Sequence, residues 1–295
     1  MKFLVTGSSG LVGSQVVKDL IKLTSEIYSC YNHTLPSAGI PTKMDLTDFD
    51  SVKKIIVKIK PDVIIHLAAI TNVDQCEKNK ELASKINTKA TEILSQEAAN
   101  HTAFFVYVST DYVFDGEQGM KKETDKPNPI NFYGVSKLEG EKAVMEKASN
   151  WCIARTSTPF GIHATKKSFP LWVAENLYSK KEIKVVTDQY ASSTYVPNLS
   201  AMLIEIATRQ ISGIIHVAGG SRISRYDIAK LIADKLNLDK TMIKPSCLKE
   251  MNWLAKRPKD TSLDVSKAQS ILKEKPISIE EGLHNFVQEI EHQFK

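Results

Sequence analysis

The sequence predicts an α/β fold, a doubly wound parallel sheet with a smaller C-terminal lobe, and three observations carry that prediction. Short apolar runs recur along the chain, helical patterns separate them, and three glycines crowd into one turn after the first run. The runs are Lys2–Thr6, Glu26–Tyr31, Val63–Ala69, Ala103–Ser109, Trp151–Thr156 and Gly213–Ala218. Between them, Leu11, Val12, Val16, Val17, Leu20 and Ile21 recur at helical spacing, and Ser51–Lys60, Glu81–Asn100 and Tyr133–Lys147 read as further helices, the first with Asp50 as candidate cap. Gly116, Gly119, Pro127 and Pro129 mark a long loop after Ala103–Ser109, and ligands of such sheets sit against loops leaving strand C-termini.

The rhythm loosens after residue 156. Phe169–Tyr178 reads as a helix, Glu182–Val186 as extended, and Ser224 as the cap of a helix over Arg225–Leu236. Residues 1–156, with returning segments near 187–218, are therefore expected to form the sheet domain, and 157–186 with 219–295 the smaller lobe.

Composition sets the outer bounds. A chain of 295 residues, 42% apolar and 25% charged, is globular, and no run approaches the ~20 apolar residues of a membrane span. The start turns at Thr6-Gly7 before a signal-peptide core accumulates, so a cytoplasmic protein is expected. Cys30, Cys76, Cys152 and Cys247 lie far apart without ligand spacing, which suggests neither disulfides nor a metal site. The net charge of +5 is spread out, and lysine far outnumbers the five arginines, which fits a solvated surface better than a nucleic-acid stripe.

Gly7-Ser8-Ser9-Gly10-Leu11-Val12-Gly13 joins the first strand to the first helix. Glycines at this spacing permit a tight turn, close approach of backbone to a pyrophosphate, and close helix-to-strand packing at a helix N-terminus. This is a Rossmann-type dinucleotide site, with Gly7, Ser9, Gly10, Leu11, Val12 and Gly13 as cofactor-binding residues. A carboxylate after the second strand would favour NAD, and Ser29-Cys30-Tyr31-Asn32-His33 has none. NADP is therefore expected, with Asn32 and His33 or Lys43 near the extra phosphate, while NAD stays open. Asp45, with Leu46 beside it, would reach the adenine or cap a helix.

Tyr133 and Lys137 stand four residues apart, on one helix face. A second such pair, Tyr226 and Lys230, lies in an ordinary amphipathic helix, where Lys230 reads as solvated. Tyr133 instead follows the long loop after the strand that ends in Thr110. Reducing a ketone generates an alkoxide, so a proton must come from a group able to lose it, and a phenol of pKa about 10 needs a nearby cation. Lys137 would supply that cation and bond the nicotinamide ribose, while Thr110 would hold the carbonyl oxygen.

With these motifs the chain resembles the extended short-chain dehydrogenase/reductase superfamily and, within it, the dTDP-4-dehydrorhamnose reductase (RmlD-like) family. The likeness runs nearly end to end, through His66-Leu67-Ala68-Ala69, Thr71-Asn72-Val73-Asp74, Val108 to Gly116, Tyr133 to Glu141, Arg155-Thr156-Ser157, Asp188-Gln189 and Arg257 to Asp264. The resemblance implies NADPH- or NADH-dependent reduction of a 4-keto group on a nucleotide-linked deoxysugar, with Tyr133 as proton donor, Lys137 as activator and Thr110 as clamp. It implies that Leu67, Ala68, Ala69 and Val108 contact the cofactor, and that Thr71, Val73, Asp111, Tyr112 and Arg257 face the sugar. Sugar-nucleotide dehydratases of the superfamily carry an Asp-Glu pair where this chain has Asp111-Tyr112, so elimination is disfavoured. The chain departs from the family at Thr158-Pro159, where a Trp is usual, and at Ala191-Ser192-Ser193-Thr194, which lacks the usual Gly and Pro. Two other readings stand beside reduction: a nucleotide-sugar epimerase holding NAD tightly, and a non-catalytic regulatory partner such as the β subunit of methionine adenosyltransferase, similar to the same family. A homodimer is a further expectation.

Overall fold

The computed structural model describes residues 1–294, with side chains through residue 291. Its main sheet is all parallel and contains β1 (Phe3–Thr6), β2 (Ile27–Tyr31), β3 (Ile40–Lys43), β4 (Val63–His66), β5 (Phe104–Thr110), β6 (Trp151–Thr156) and β7 (Gly213–His216), in the order β7-β6-β5-β4-β1-β2-β3. This is the Rossmann-type doubly wound sheet. Chain order reverses between β1 and β4, which opens a crevice at their C-terminal ends.

Alternation along the strands explains why both faces are covered. Phe3 and Val5 enter one layer with Val16 and Val17 of α1 (Leu11–Leu20) and Leu199 and Leu203 from a helix over Val196–Arg209. Leu4 enters the other, with Val52 and Ile56 of α2 (Phe49–Ile59) and Leu94 from a helix over Ala90–Asn100. A second apolar core, built from Phe160, Leu171, Ile183, Ile228, Ile243 and Phe286 among others, organises the smaller lobe.

Three local expectations need correction. The α2 helix starts two residues early, and its cap is Asp48, which accepts the Ser51 N–H at 3.0 Å, not Asp50. The run over Val63–Ala69 is strand only to His66, because the Leu67 and Ala68 amides leave the ladder and donate to Thr6 Oγ1. Glu81–Asn100 is not one α-helix. After α3 (Val73–Lys78) come α4 (Lys80–Ala83), a π-helical turn over Ser84–Lys89, and α5 (Ala90–Asn100). Asn87 explains the distortion: its side chain is buried, accepting from Ile70 N–H at 2.8 Å and donating to Ser136 Oγ at 3.0 Å. Among the described residues no helix is long and apolar enough to cross a membrane.

Candidate active site

The glycine loop is shaped for a dinucleotide. Gly7 has φ +68°, and a Cβ there would lie 2.9 Å from Ala68 N; a Cβ at Gly13 would meet the Gly7 carbonyl oxygen at 2.1 Å. Gly10 caps α1 with no side-chain bond to the first-turn amides, so these remain directed at whatever occupies the crevice. Ser8 is buried and donates to the Cys30 carbonyl, whereas Ser9, Gly10, Leu11 and Val12 are half-exposed along the open side. The Leu67–Ala69 segment packs directly on this loop through Thr6. That hydroxyl also meets His66 Nδ1 at 2.6 Å, and His66 Nε2 meets Thr91 Oγ1 at 3.0 Å. Burial, with Lys137 nearby, pushes the His66 ring down to about 3, so it is neutral.

At the far end of the crevice, Asn32 is half-buried, His33 exposed, and Lys43 lies over the Tyr31 ring at 5.7 Å. The two alternatives raised for Asp45 meet a third arrangement, since its carboxylate accepts from Thr47 N–H and Oγ1 at 2.8 Å each. These bonds hold it below the usual carboxylate range, while helix capping falls to Asp48. Leu46 departs from its expected place. Its side chain is largely buried with Met44 and Val52 in the core layer under α2, which leaves little of it for the crevice.

The Thr, Tyr and Lys residues meet at the C-terminal end of β5. Asn131 caps α6 (Phe132–Lys147) by accepting the Gly134 N–H, which sets Tyr133 in the first turn. Gly134 is required there, because a Cβ would lie 2.1 Å from the Tyr112 carbonyl oxygen. The Tyr112 and Tyr133 rings meet edge to face at 5.8 Å. Lys137 is buried, donating from Nζ to the Val108 carbonyl at 2.8 Å and lying 4.0 Å from the centre of the Tyr107 ring. Burial pushes it down to about 7, and Glu141 draws it back up.

The electrostatics differ from the sequence expectation. Burial pushes the Tyr133 phenol above its ordinary value; the neighbouring Thr110 hydroxyl opposes this, and Asp111, Cys76 and Tyr112 reinforce it. Burial outweighs the pull of Lys137 here, whose ammonium is engaged by Val108 and Tyr107. The phenol therefore stays protonated, the form a proton donor needs. Thr110 Oγ1 donates to Asp111 Oδ1 at 2.9 Å and accepts the Tyr112 N–H at 3.2 Å, so clamping a carbonyl requires its proton to turn away from Asp111.

The expected sugar-facing residues separate into two groups. Thr71 is exposed, Val73 half-buried at the start of α3, and Tyr112 packs against Tyr133. Asp111 is 2% exposed, its other oxygen accepting from Ser157 at 2.7 Å. Arg257 pairs with Asp74 at 3.1 Å and lies over Trp253, tying the 253–257 loop to α3. Lys230, expected to be solvated, pairs with Asp227 at 3.0 Å.

Sequence reasoning missed the lobe side. A cavity of about 240 Å³ runs from Leu11 of the glycine helix to Thr158, Phe160, Ser168, Phe169 and Arg225, with Thr158 at φ +35°. Arg225 donates to Gln189 at 2.7 Å, so the Asp188-Gln189 motif holds this wall. Its scarcity, one of five arginines, was the available signal.

Comparison with known proteins agrees with this architecture. The family described as RmlD substrate binding domain matches residues 1–292. The chain is similar to the probable low-salt glycan biosynthesis reductase Agl14 of Haloferax volcanii, 34% identical over 92% of each chain. It is also similar to methionine adenosyltransferase 2 subunit beta of Xenopus tropicalis, 33% identical over 91% of this chain and 81% of that one. Among solved structures, dTDP-4-dehydrorhamnose reductase from Bacillus anthracis in complex with NADP is 32% identical, with a TM-score of 0.88 and coverage of 98% of this chain and 100% of that one. The chain therefore belongs to the RmlD family of the extended short-chain dehydrogenases/reductases.

Proposed function

We propose that this protein is an NAD(P)H-dependent reductase of a 4-keto group on a nucleotide-linked deoxysugar. The observation that carries the reading is the meeting of Thr110, Tyr133 and Lys137 at the end of β5, beside a glycine loop with unclaimed helix amides. Gly7, Gly10 and the amides of Leu11 and Val12 would hold the pyrophosphate, Leu67–Ala69 would flank it, and the acid-free end of β2 admits a 2′-phosphate. When bound, the cofactor supplies hydride to the ketone carbon.

The chain's own residues handle the oxygen and its proton. Tyr133, kept protonated by burial, donates from Oη to the ketone oxygen, and Thr110 fixes that oxygen once its hydroxyl turns from Asp111. Lys137, cationic at and below about pH 7, stabilises the phenolate that remains. Tyr112, packed edge to face on Tyr133, shields the donor from water. The proposal includes a cytoplasmic homodimer whose partners are small anionic ligands and not nucleic acid.

The test is NADPH oxidation against a panel of nucleotide-linked 4-keto sugars. At least one should be reduced, and Tyr133→Phe should lower turnover by about 10²–10⁴-fold. No consumption on any sugar, or a fully active Tyr133→Phe, would sink the reading. The likeness to methionine adenosyltransferase 2 subunit beta favours a second reading, a regulatory partner without turnover. Tight copurification with a synthetase from the native host, together with inactivity on the sugar panel, is the outcome that selects it.

A further inference from the structure

Beneath the site lies a buried charged group that the proposed chemistry does not use. Glu141 stands one turn beyond Lys137 on α6 and is 0% exposed. Its Oε1 accepts from Ser109 Oγ at 2.6 Å and Arg155 Nε at 2.9 Å, and its Oε2 accepts from Arg155 Nη2 at 2.7 Å. Ser109 and Arg155 are themselves partners across β5 and β6. Three elements therefore converge on one carboxylate.

A buried ion pair is a poor means of stabilising a core, since apolar residues of similar volume commonly do as well or better. The neighbours of this one suggest another use. Ser109 sits between Val108, whose carbonyl receives Lys137 Nζ, and Thr110, which carries the clamp hydroxyl. The α6 helix thus grips two successive residues of β5, through Lys137 and through Glu141, and the third is Thr110. Gly140 allows the grip, because a Cβ there would lie 2.3 Å from Tyr107 Oη.

We propose that Glu141 is a positioning residue of the active site, which through Ser109 and Arg155 fixes the end of β5 against α6 and so keeps the Lys137 ammonium directed at β5. This rests on the reductase reading. Glu141 is the neighbour that draws the Lys137 ammonium upward against burial. The other groups around this pair are Tyr133 on α6, Tyr107 on β5, His66 on β4, Arg155 on β6, and His216 on β7 with Glu123 bonded to its amide. Of these, His66 is neutral and Tyr107 is held protonated by burial, so the negative charge nearest in chain and fold is Glu141.

The experiment compares wild type with Glu141→Gln, following kcat and KM from pH 5.5 to 9 and the 13Cε resonance of Lys137, assigned by its loss in Lys137→Met. Activity that needs the cation falls as pH rises through the lysine midpoint, so removing the carboxylate moves that limb to lower pH. Expected for Glu141→Gln are a Lys137 midpoint lower by about one pH unit, kcat about tenfold lower at pH 8 and within about twofold at pH 6, and KM within about twofold. A folded Glu141→Gln with an unmoved midpoint, or with wild-type kcat at pH 8, overturns the proposal. If Glu141→Gln does not fold, Glu141→Asp decides. It keeps the charge but cannot span both partners, so the midpoint should stay while kcat falls about tenfold at every pH; wild-type kcat in Glu141→Asp overturns the proposal. The lysine titration needs no substrate, so the two failures are read separately: no turnover by wild type sinks the reductase reading, and an unmoved midpoint sinks this one.

Discussion

The Nζ of Lys137 donates to the carbonyl oxygen of Val108 at 2.8 Å, in a place where water does not reach. Burial there holds the ammonium at about 7, against 10.5 for an ordinary lysine. Between these values the unfolded chain keeps a proton that the folded one has lost, so stability rises with pH through that window. Wild type should gain on Lys137→Met by about 1.4 kcal/mol per pH unit from pH 7 towards 10 and run parallel to it below pH 6.5. Urea denaturation of both proteins across that range checks the slope; parallel curves throughout would refute it.

His66 gives a second limb of the same sign, at acid pH. Its folded value of about 3 lies below the ordinary 6.5, so the unfolded chain takes up the proton first as the solution is acidified. Stability conferred by the neutral ring is full above pH 6.5 and is lost as pH falls towards 3. The melting temperature of wild type should fall more steeply from pH 6.5 to 4 than that of His66→Gln, which calorimetry can measure.

Gly134 sets where Tyr133 stands. A methyl group there would meet the Tyr112 carbonyl oxygen at 2.1 Å, so Gly134→Ala must push α6 away from the end of β5. A displacement approaching 1 Å costs about 100-fold in kcat, whereas NADPH affinity, held by the distant α1 amides, should change less than about threefold. Steady-state kinetics with a cofactor titration separates the two.

On the proposed reading, cofactor preference rests on Asn32, the residue after β2. Asn32→Asp places a carboxylate where the 2′-phosphate of NADPH would lie, and should weaken NADPH by about tenfold while leaving NADH within about threefold. Fluorescence titration with both nucleotides measures the ratio.

The legible features were those whose cause is local. Gly7, Gly10 and Gly13 announce a turn that no other residue makes so closely, and Tyr133 with Lys137 share a face by helical arithmetic. Strands β1, β4, β5 and β6 show as apolar runs because both faces are buried, whereas the exposed edge strand β3 shows none. What stayed hidden depends on residues distant in sequence. Glu141 and Arg155 stand in stretches the resemblance picks out, but nothing near either one reveals that they meet each other in the core. Leu46 looked like part of the crevice rim because its neighbour Asp45 is, yet its side chain turns under α2. The cap of α2 was displaced by two positions because Asp48 and Asp50 are equivalent in composition and differ only in which one precedes Ser51 by three. Lobe residues such as Phe169 and Arg225 reach the crevice by tertiary packing, which periodicity does not encode.

The π turn over Ser84–Lys89 has a consequence for the length of the chain. It accommodates more residues per turn than an α-helix and frees the Asn87 carbonyl, which accepts from Thr91 Oγ1 at 2.8 Å. Deleting a single residue between Ser84 and Lys89 would let the segment wind as ordinary helix, and Asn87 would lose the place from which its side chain bonds both Ile70 and Ser136. The stretch from Ile70 into α3 would then lose its tie to α6. A relative one residue shorter here should therefore hold that stretch differently even if its glycine loop, threonine, tyrosine and lysine were all retained.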